Sequence, residues 1–353
     1  MIEALVIRTT GSWYRLLLPD GTTLDGRLRG NYRLRGNKQT NPVAVGDRVD
    51  CSLEADGTAL IHDVHDRTNY IVRRATKLSK QTHVIAANID LLCIVATLGL
   101  PRTSTGFIDR LLVTAEASHI PAALVFNKVD LYGDPGSELW QIHNELKAVY
   151  TAAGYPVLEV SALQGTGLDA LKQMIAGKAV LFSGHSGVGK SALLNALCPG
   201  LGLKVGQISD WSLKGRHTTT FAEIIPVESG KWKVESKQEQ QLPTLHNDTR
   251  PGAAAELSTF HSPLSTYLID TPGIKEFGMV DFTAQELSHF FPEMRAVLHG
   301  CRFANCTHRH EPGCAVKAAV ESGEIEFSRY ESYLSICFED GGKHRMSRKA
   351  IYG

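Results

Sequence analysis

The run Ala179-Val180-Leu181-Phe182-Ser183-Gly184-His185-Ser186-Gly187-Val188-Gly189-Lys190-Ser191-Ala192-Leu193-Leu194-Asn195-Ala196-Leu197 decides the reading of this chain. It is a short apolar run, then G-x-x-x-x-G-K-S, then a helix-forming segment. That order is the context a phosphate-binding loop requires. Its glycines let backbone N–H groups turn inward around a phosphate with no Cβ in the way. The helix behind adds the partial positive charge of its N-terminus. Gly184, His185, Ser186, Gly187, Val188 and Gly189, with Lys190, Ser191 and Ala192, therefore form a candidate nucleotide cradle. In it Lys190 is expected at the β- and γ-phosphates and Ser191 on Mg²⁺.

The chain has 353 residues, more than one average domain. Its hydrophobic content of 43% and charged content of 21% suit globular domains with real cores. No apolar run approaches bilayer length, so no membrane partner is expected. Met1-Ile2-Glu3-Ala4 lacks the basic start and apolar core of a signal peptide. Seven cysteines in this length do not suggest a disulfide scaffold, and a reducing, cytoplasmic setting and a monomer are expected. Formal net charge is zero, but basic residues are bunched. Arg27, Arg29, Arg33, Arg35 and Lys38 form one group; Arg67, Arg73, Arg74, Lys77 and Lys80 a second; Lys343, Arg345, Arg348 and Lys349 a third. One such group is usually a solvated face; three in a balanced chain point to an RNA-like partner.

Ahead of the glycine loop, the first 67 or so residues read as all-β. Ala4–Arg8, Trp13–Leu18, Thr22–Arg29, Val43–Val49 and Thr58–Val64 are short strand-like runs, with Asp20-Gly21 and Asp56-Gly57 as turn signals. Five short strands suit a small barrel, and an OB-fold is the commonest of these among nucleic-acid partners. The loop carrying Arg33, Arg35 and Lys38 would touch nucleic acid. Tyr14, Tyr32 and Tyr70 either offer stacking faces or pack the barrel. From Ile89 the pattern changes to alternating strands and helices: Ile89–Leu98, Thr105–Ser118, Ala122–Phe126, Glu138–Ala153, Val157–Val160 and Leu168–Ile175. This is α/β, a twisted sheet covered on both faces.

Two signals fall at strand ends, where ligands bind in such sheets. Asn127-Lys128-Val129-Asp130 follows one strand. An Asp130 carboxylate accepts from N1–H and the 2-amino group of guanine together, and adenine has neither donor. The Lys128 stem would lie over the base. Ser161-Ala162-Leu163 follows the next strand and would offer a backbone N–H to guanine O6. Downstream of the loop, Gly215-Arg216-His217-Thr218-Thr219-Thr220 holds a Thr, Thr219 or alternatively Thr218, that can close over Mg²⁺ and the γ-phosphate. Tyr267-Leu268-Ile269-Asp270-Thr271-Pro272-Gly273 is a strand ending in D-x-x-G. There Asp270 would reach Mg²⁺ through water, and the Gly273 N–H would face the γ-phosphate. Loss of that phosphate would release both segments.

Near the C-terminus, Thr283-Ala284-Gln285-Glu286 is a capping box expected to open a helix running toward Met294. Then comes Cys301-x₄-Cys306-x-His308-x₅-Cys314, a donor set that matches a closed, structural Zn²⁺ site, with His310 as a competing fourth ligand. Ala315–Ser322 and Phe327–Phe338 read as helices. Cys51, Cys93, Cys198 and Cys337 are scattered and read as core residues.

These motifs, in this rotated order, resemble those of a circularly permuted GTPase. With the barrel in front and the Cys/His cluster behind, the chain resembles the RsgA (YjeQ) family of small-ribosomal-subunit biogenesis GTPases over nearly its whole length. The resemblance implies an OB-fold RNA-binding domain at 1–68, a permuted P-loop GTPase domain at 69–280 and a helical zinc-binding domain at 281–353. It further implies GTP/GDP, Mg²⁺ and one structural Zn²⁺ as ligands. The implied partners are the 30S subunit and its 16S rRNA, bound during late maturation, with hydrolysis stimulated by that subunit. The residue after Gly273 is Ile274, where many GTPases place a water-orienting Gln. Unaided hydrolysis should therefore be slow, and the resemblance suggests His217 as the substitute. The stretch around Glu228–Ser262 departs from the family's compact form and reads as an extended loop.

Two rival readings remain at this stage. One is a nucleic-acid-binding regulator in which GTP is mainly a conformational ligand. The other is a P-loop kinase or ATPase, against which Asn127–Asp130 argues. Because Ile274–Val280 leads straight to the C-terminal helices, the sequence also predicts that the γ-phosphate reorients the C-terminal domain while the barrel responds less.

Overall fold

The computed structural model describes residues 1–30, 41–74, 82–203, 222–228, 265–270 and 282–338. Tyr32, Arg33, Arg35, Lys38, Lys77, Lys80, His217, Thr219, Gly273, Ile274, nearly all of the 228–262 stretch and the basic C-terminal tail lie outside the described residues.

Apolar residues at every second position build the first unit. Its strands are β1 (Ile2–Thr10), β2 (Trp13–Leu17), β3 (Thr23–Leu28), β4 (Arg48–Leu53) and β5 (Ala59–Val64). Ala4 and Val6, Tyr14 and Leu16, Val49 and Cys51, Ala59 and Ile61 point into one core. Pairing runs β1-β2-β3-β5-β4 and returns from β4 to β1, closing a five-stranded barrel. The fourth strand begins at Arg48, not Val43. Val43, Ala44 and Val45 are instead a buried turn, tied down by Asp47, whose carboxylate accepts from the Ala44 N–H at 2.7 Å. Tyr14 packs this core, whereas Tyr70 is 42% exposed. Arg67 is not a free cation of the basic group: its guanidinium grips the buried Asp47 carboxylate through two contacts of 2.7 Å.

A hairpin that the sequence did not predict follows, β6 (Tyr70–Arg74) with β7 (Thr82–Ala87). It is stitched to the barrel by the Ala87 N–H to Val45 O at 2.8 Å and by Asn41, which pairs with both backbone groups of Val84.

The next strands are β8 (Leu91–Ala96), β9 (Ala122–Phe126), β10 (Val157–Glu159) and β11 (Ala179–Ser183). They alternate with α1 (Thr105–Ala117), α2 (Glu138–Ala152) and α3 (Leu168–Ile175), and α4 (Lys190–Leu197) follows β11. Then come β12 (Glu223–Glu228) and β13 (Ser265–Asp270). The sheet order is β10-β9-β8-β11-β13-β12, parallel except for β12. Every residue of β8, β9 and β11 is buried, as expected for strands covered on both faces. Leu92, Ile94, Leu124, Phe126 and Leu181 share a core with Leu111 and Leu112 of α1 and Tyr150 of α2. Leu91, Cys93, Val125, Val180 and Phe182 share the opposite core with Leu171 of α3 and Leu194 of α4.

The barrel and this sheet are continuous. Arg8 of β1 pairs with Glu223 of β12. The face of β1 turned away from the barrel core, Leu5 and Ile7, packs with Ile224, Tyr267 and Ile269.

The C-terminal unit holds α5 (Ala284–Ser288), α6 (Pro292–Val297), α7 (Ala315–Ser322) and α8 (Phe327–Phe338). The capping box forms as expected at Thr283 and Glu286. The helix does not run on to Met294: Pro292 has no N–H to continue it and starts α6 instead. This unit is not hung from the Asp270 segment alone. Its core includes Val113 of α1. Arg329 of α8, 2% exposed, reaches Asp109 of α1, and its Nε lies 2.7 Å from Glu293 of α6. Burial works against this charge, but Asp109 and Glu293 outweigh it and hold the Arg329 pKa above its usual value. The guanidinium also lies 4.7 Å from the Phe291 ring centroid and 5.5 Å from that of Tyr150.

Candidate nucleotide site and Cys/His centre

The glycine loop leaves β11 at Ser183 and enters α4 at Lys190, the strand–loop–helix order expected from the sequence. Close approach explains two of its glycines. A Cβ at Gly184 would stand 2.4 Å from Val95 O, and one at Gly189 would stand 2.5 Å from the Asn127 amide, with φ of +91° as well. Lys190 Nζ donates to Gly184 O at 2.7 Å, closing the loop on itself. Burial lowers the Lys190 pKa, and the charge of Asp270 opposes that fall. Asp270 ends β13 opposite Phe182, which sets it beside the loop-bearing strand. Ser191 and Ala192 are half-buried in the first turn of α4.

The base-recognition residues meet the same loop. Asn127 is 1% exposed; its amide donates to Val188 O at 2.9 Å and its carbonyl accepts from the Ala162 N–H at 3.2 Å. One side chain thus joins the ends of β9 and β10 to the glycine loop. Of the Ser161-Ala162-Leu163 N–H groups, one of which is expected to face guanine O6, that of Ala162 is turned to Asn127 here. Lys128, at φ +64°, stretches across to donate to Leu100 O at 3.0 Å and Gly187 O at 2.8 Å. That extended stem suits the base-covering role. Asp130 follows in a single 3₁₀ turn, Val129–Leu131, half-buried at the same edge. Ser161 is buried and shapes its loop, its hydroxyl accepting from the Gln164 N–H at 3.0 Å. The arrangement can hold a purine at one end and a polyphosphate at the other. His217, Thr219 and Gly273, assigned to the γ-phosphate end, lie outside the described residues.

The second centre forms from Cys301, Cys306, His308 and Cys314, whose ligand atoms all lie within 4.8 Å of one another. Ligands around a tetrahedral Zn²⁺ with Zn–S of about 2.3 Å stand roughly 3.8 Å apart, so this donor set is compatible with that ion. His308 Nδ1 is 3.4 Å from Cys314 Sγ and 3.6 Å from Cys301 Sγ. His310 is exposed and is not in the cluster. The loop is pinned around Glu311. Burial raises the Glu311 pKa, but bonds from Thr307 and from the backbone of Glu311 and Arg309 outweigh this and bring it to about 2. Tyr330 and Tyr333 of α8 donate to the carbonyls of His308 and Thr307.

Comparison with known proteins agrees with this geometry. The RsgA N-terminal domain family matches residues 3–61, and the RsgA GTPase family matches residues 64–236. The small ribosomal subunit biogenesis GTPase RsgA 2 of Bacteroides thetaiotaomicron is 46% identical over 347 residues, covering 98% of this chain and all of that one. The chain belongs to the RsgA family. A second RsgA, from Porphyromonas gingivalis, is 46% identical over 344 residues, covering 97% of this chain and 98% of that one. Among solved structures, YjeQ from Thermotoga maritima superposes with a TM-score of 0.70 at 30% identity, covering 97% of this chain and 99% of that one. YloQ, a circularly permuted GTPase, superposes with a TM-score of 0.65 at 26% identity and covers 96% of this chain. As an RsgA GTPase the chain is a GTP hydrolase, and a guanine nucleotide is its ligand. Among the described residues no helix is long and apolar enough to cross a membrane.

Sequence reading missed one exposed group on the barrel. Trp13 is 44% exposed and lines a groove with Arg8, Thr10, Arg15, Asp25 and Thr58. An exposed Trp in a strand flanked by arginines was the available signal.

Proposed function

We propose that this RsgA-family GTPase binds the small (30S) ribosomal subunit through 16S rRNA. In this reading it acts in the subunit's late maturation and hydrolyses GTP to GDP and phosphate when stimulated by the subunit. The observation that carries the nucleotide half is Asn127, which joins the base-recognition strand ends to the glycine loop through Val188 and Ala162. The ribosomal half rests on full-length identity to proteins named for small-subunit biogenesis.

In this reading Asp130 selects guanine, with Lys128 over the base and Ser161 and Ala162 beside it. Lys190 neutralises charge on the β- and γ-phosphates. Ser191, Asp270 and Thr219 hold Mg²⁺, which when bound offsets charge on the phosphate oxygens. Gly273 senses the γ-phosphate. His217 takes the place of the missing Gln, since Ile274 cannot orient water. Cys301, Cys306, His308 and Cys314 hold one Zn²⁺ in a closed, structural site. The protein works as a cytoplasmic monomer. The test is co-sedimentation with 30S, 50S and 70S particles in GDP and in a non-hydrolysable GTP analogue. GTP-dependent retention on 30S alone, with turnover rising on adding 30S, is expected; equal retention on all three particles would overturn the ribosomal half.

A further inference from the structure

Three consecutive carbonyls of the glycine loop are held by side chains, two of them from outside the loop. Val188 O accepts from the Asn127 amide at 2.9 Å, Gly187 O from Lys128 Nζ at 2.8 Å, and Ser186 O lies 3.2 Å from His185 Nδ1. In a trans peptide the C=O and the following N–H point in opposite directions. Pulling these carbonyls outward therefore turns the N–H groups of Gly187, Val188 and Gly189 inward, and successive inward N–H groups form an anion-binding nest.

Asn127 and Lys128 belong to the base motif. His185 does not, and it has its own support. Its Nε2 is 2.8 Å from Thr103 Oγ1, and its ring packs edge-on against Phe107 of α1 at 5.4 Å. Thr103 Oγ1 already accepts from the Thr97 N–H at 3.0 Å, so its own proton is available for His185 Nε2. Nδ1 then carries the imidazole proton and donates it to Ser186 O. One neutral tautomer satisfies every group.

We propose that His185, braced by Thr103, is a positioning residue of the phosphate site: it orients the Ser186–Gly187 peptide so that the Gly187 N–H faces the β/γ-phosphate end of the nucleotide. The inference rests on the phosphate-loop reading of residues 184–191. His185 acts through the backbone, so its contribution is felt by nucleotides with more than one phosphate.

The test compares GMP, GDP and GTP affinities by competition, using the full chain. His185→Ala is expected to weaken GDP and GTP by about tenfold, the scale of one or two side-chain hydrogen bonds, and to leave GMP unchanged. Thr103→Val should weaken the same two ligands. Combined with His185→Ala, it should add nothing to the loss specific to GDP and GTP, because Thr103 bonds the glycine loop through His185, whereas the Thr97 N–H it also holds belongs to the fold and would affect GMP equally. His185→Gln, which keeps one donor and one acceptor, should recover most of the loss. GMP weakened as much as GDP would mean a general loss of structure and would overturn the proposal, as would unchanged GDP and GTP affinities or multiplying effects of the two substitutions. Lys190→Ala separates the two levels: if it too leaves GDP and GTP affinity intact, the phosphate-loop reading itself has failed.

Discussion

Asp130 sits one 3₁₀ turn beyond β9, at the edge where Asn127 joins the two loops. A carboxylate there reads two guanine donors at once, and bonds to charged groups are worth about 1.5–3 kcal/mol each. Asp130→Asn is therefore expected to cost roughly ten- to a hundredfold in GTP affinity and to favour xanthine nucleotides, whose second carbonyl an amide can satisfy. Competition binding with GTP and XTP checks this; unchanged GTP preference would mean that Asp130 does not read the base. Lys190→Ala and Ser191→Ala are each expected to abolish hydrolysis while RNA binding by the nucleotide-free protein persists, measured by filter retention. The reason is separation: the loop lies in the α/β unit, and the exposed Trp13, Arg15 and Arg27 lie on the barrel. At this scale the sequence names candidate residues but not what each one touches. Asn127 reads as a base-motif residue, yet its amide bonds Val188, 61 positions away. Arg67 reads as one more surface cation, and only the fold shows Asp47 beneath it. Motif spacing records chemistry along the chain, whereas these contacts depend on which strand ends become neighbours.

Among the elements, periodicity served the α/β region best. α3 and β9 fall where the sequence put them, because Gly167 and Gly177 bracket the amphipathic α3 and an unbroken apolar run between Pro121 and Asn127 marks β9. It served the barrel less well at Val43–Val45, where a buried turn is as apolar as a strand. The packing of α8 on α1 was not legible, since one buried arginine carries much of it. Removing one partner of a buried ion pair costs about 3–5 kcal/mol, because the other charge is left uncompensated. Asp109→Ala leaves Arg329 with Glu293 alone, so it is expected to destabilise the protein by about 3 kcal/mol, the low end of that range, read from urea denaturation, and to speed proteolysis between residues 282 and 338. Zinc chelation should do more to the same unit. Cys306 and Cys314 are part of its apolar core, and zinc binding contributes about 10–16 kcal/mol in small sites. Loss of helical signal on chelation, and in Cys301→Ser, is expected; retention of full protease resistance without metal would refute the zinc assignment.

For the whole molecule, the junctions matter more than the units. The C-terminal unit is latched to α1 through Arg329 and Val113. Among the described residues the barrel meets β12 at one register pair, Arg8 with Glu223, whose side chains lie 3.9 Å apart and are about half exposed. β12 in turn pairs along its length with β13, the strand that ends at Asp270. Among the described residues, a γ-phosphate acting at Glu223 and Asp270 would have a hydrogen-bonded path through β12 to the barrel, whereas the linear order of the chain points to the C-terminal unit. Distances between labels on the barrel and on α2 are expected to differ between GDP and a GTP analogue, while those between α8 and α2 stay fixed. The opposite pattern would exclude this route.

The seam between β1 and β12 also bears on how the chain is made. Synthesis delivers β1 first, and its partner strand only after more than two hundred further residues. By residue 203 the barrel, the base-reading loops and the phosphate loop have all been made, yet β11 lacks β13 and β1 lacks β12. A nascent chain at that length leaves β11 without its β13 neighbour and the Arg8 end of β1 without β12, and unpaired strand backbone is a template for wrong partners. A fragment ending there should be prone to aggregate although it contains every residue proposed to read guanine. The permuted order thus defers completion of the sheet to the strand that also carries Asp270, so the strand proposed to reach Mg²⁺ is the one that finishes the sheet.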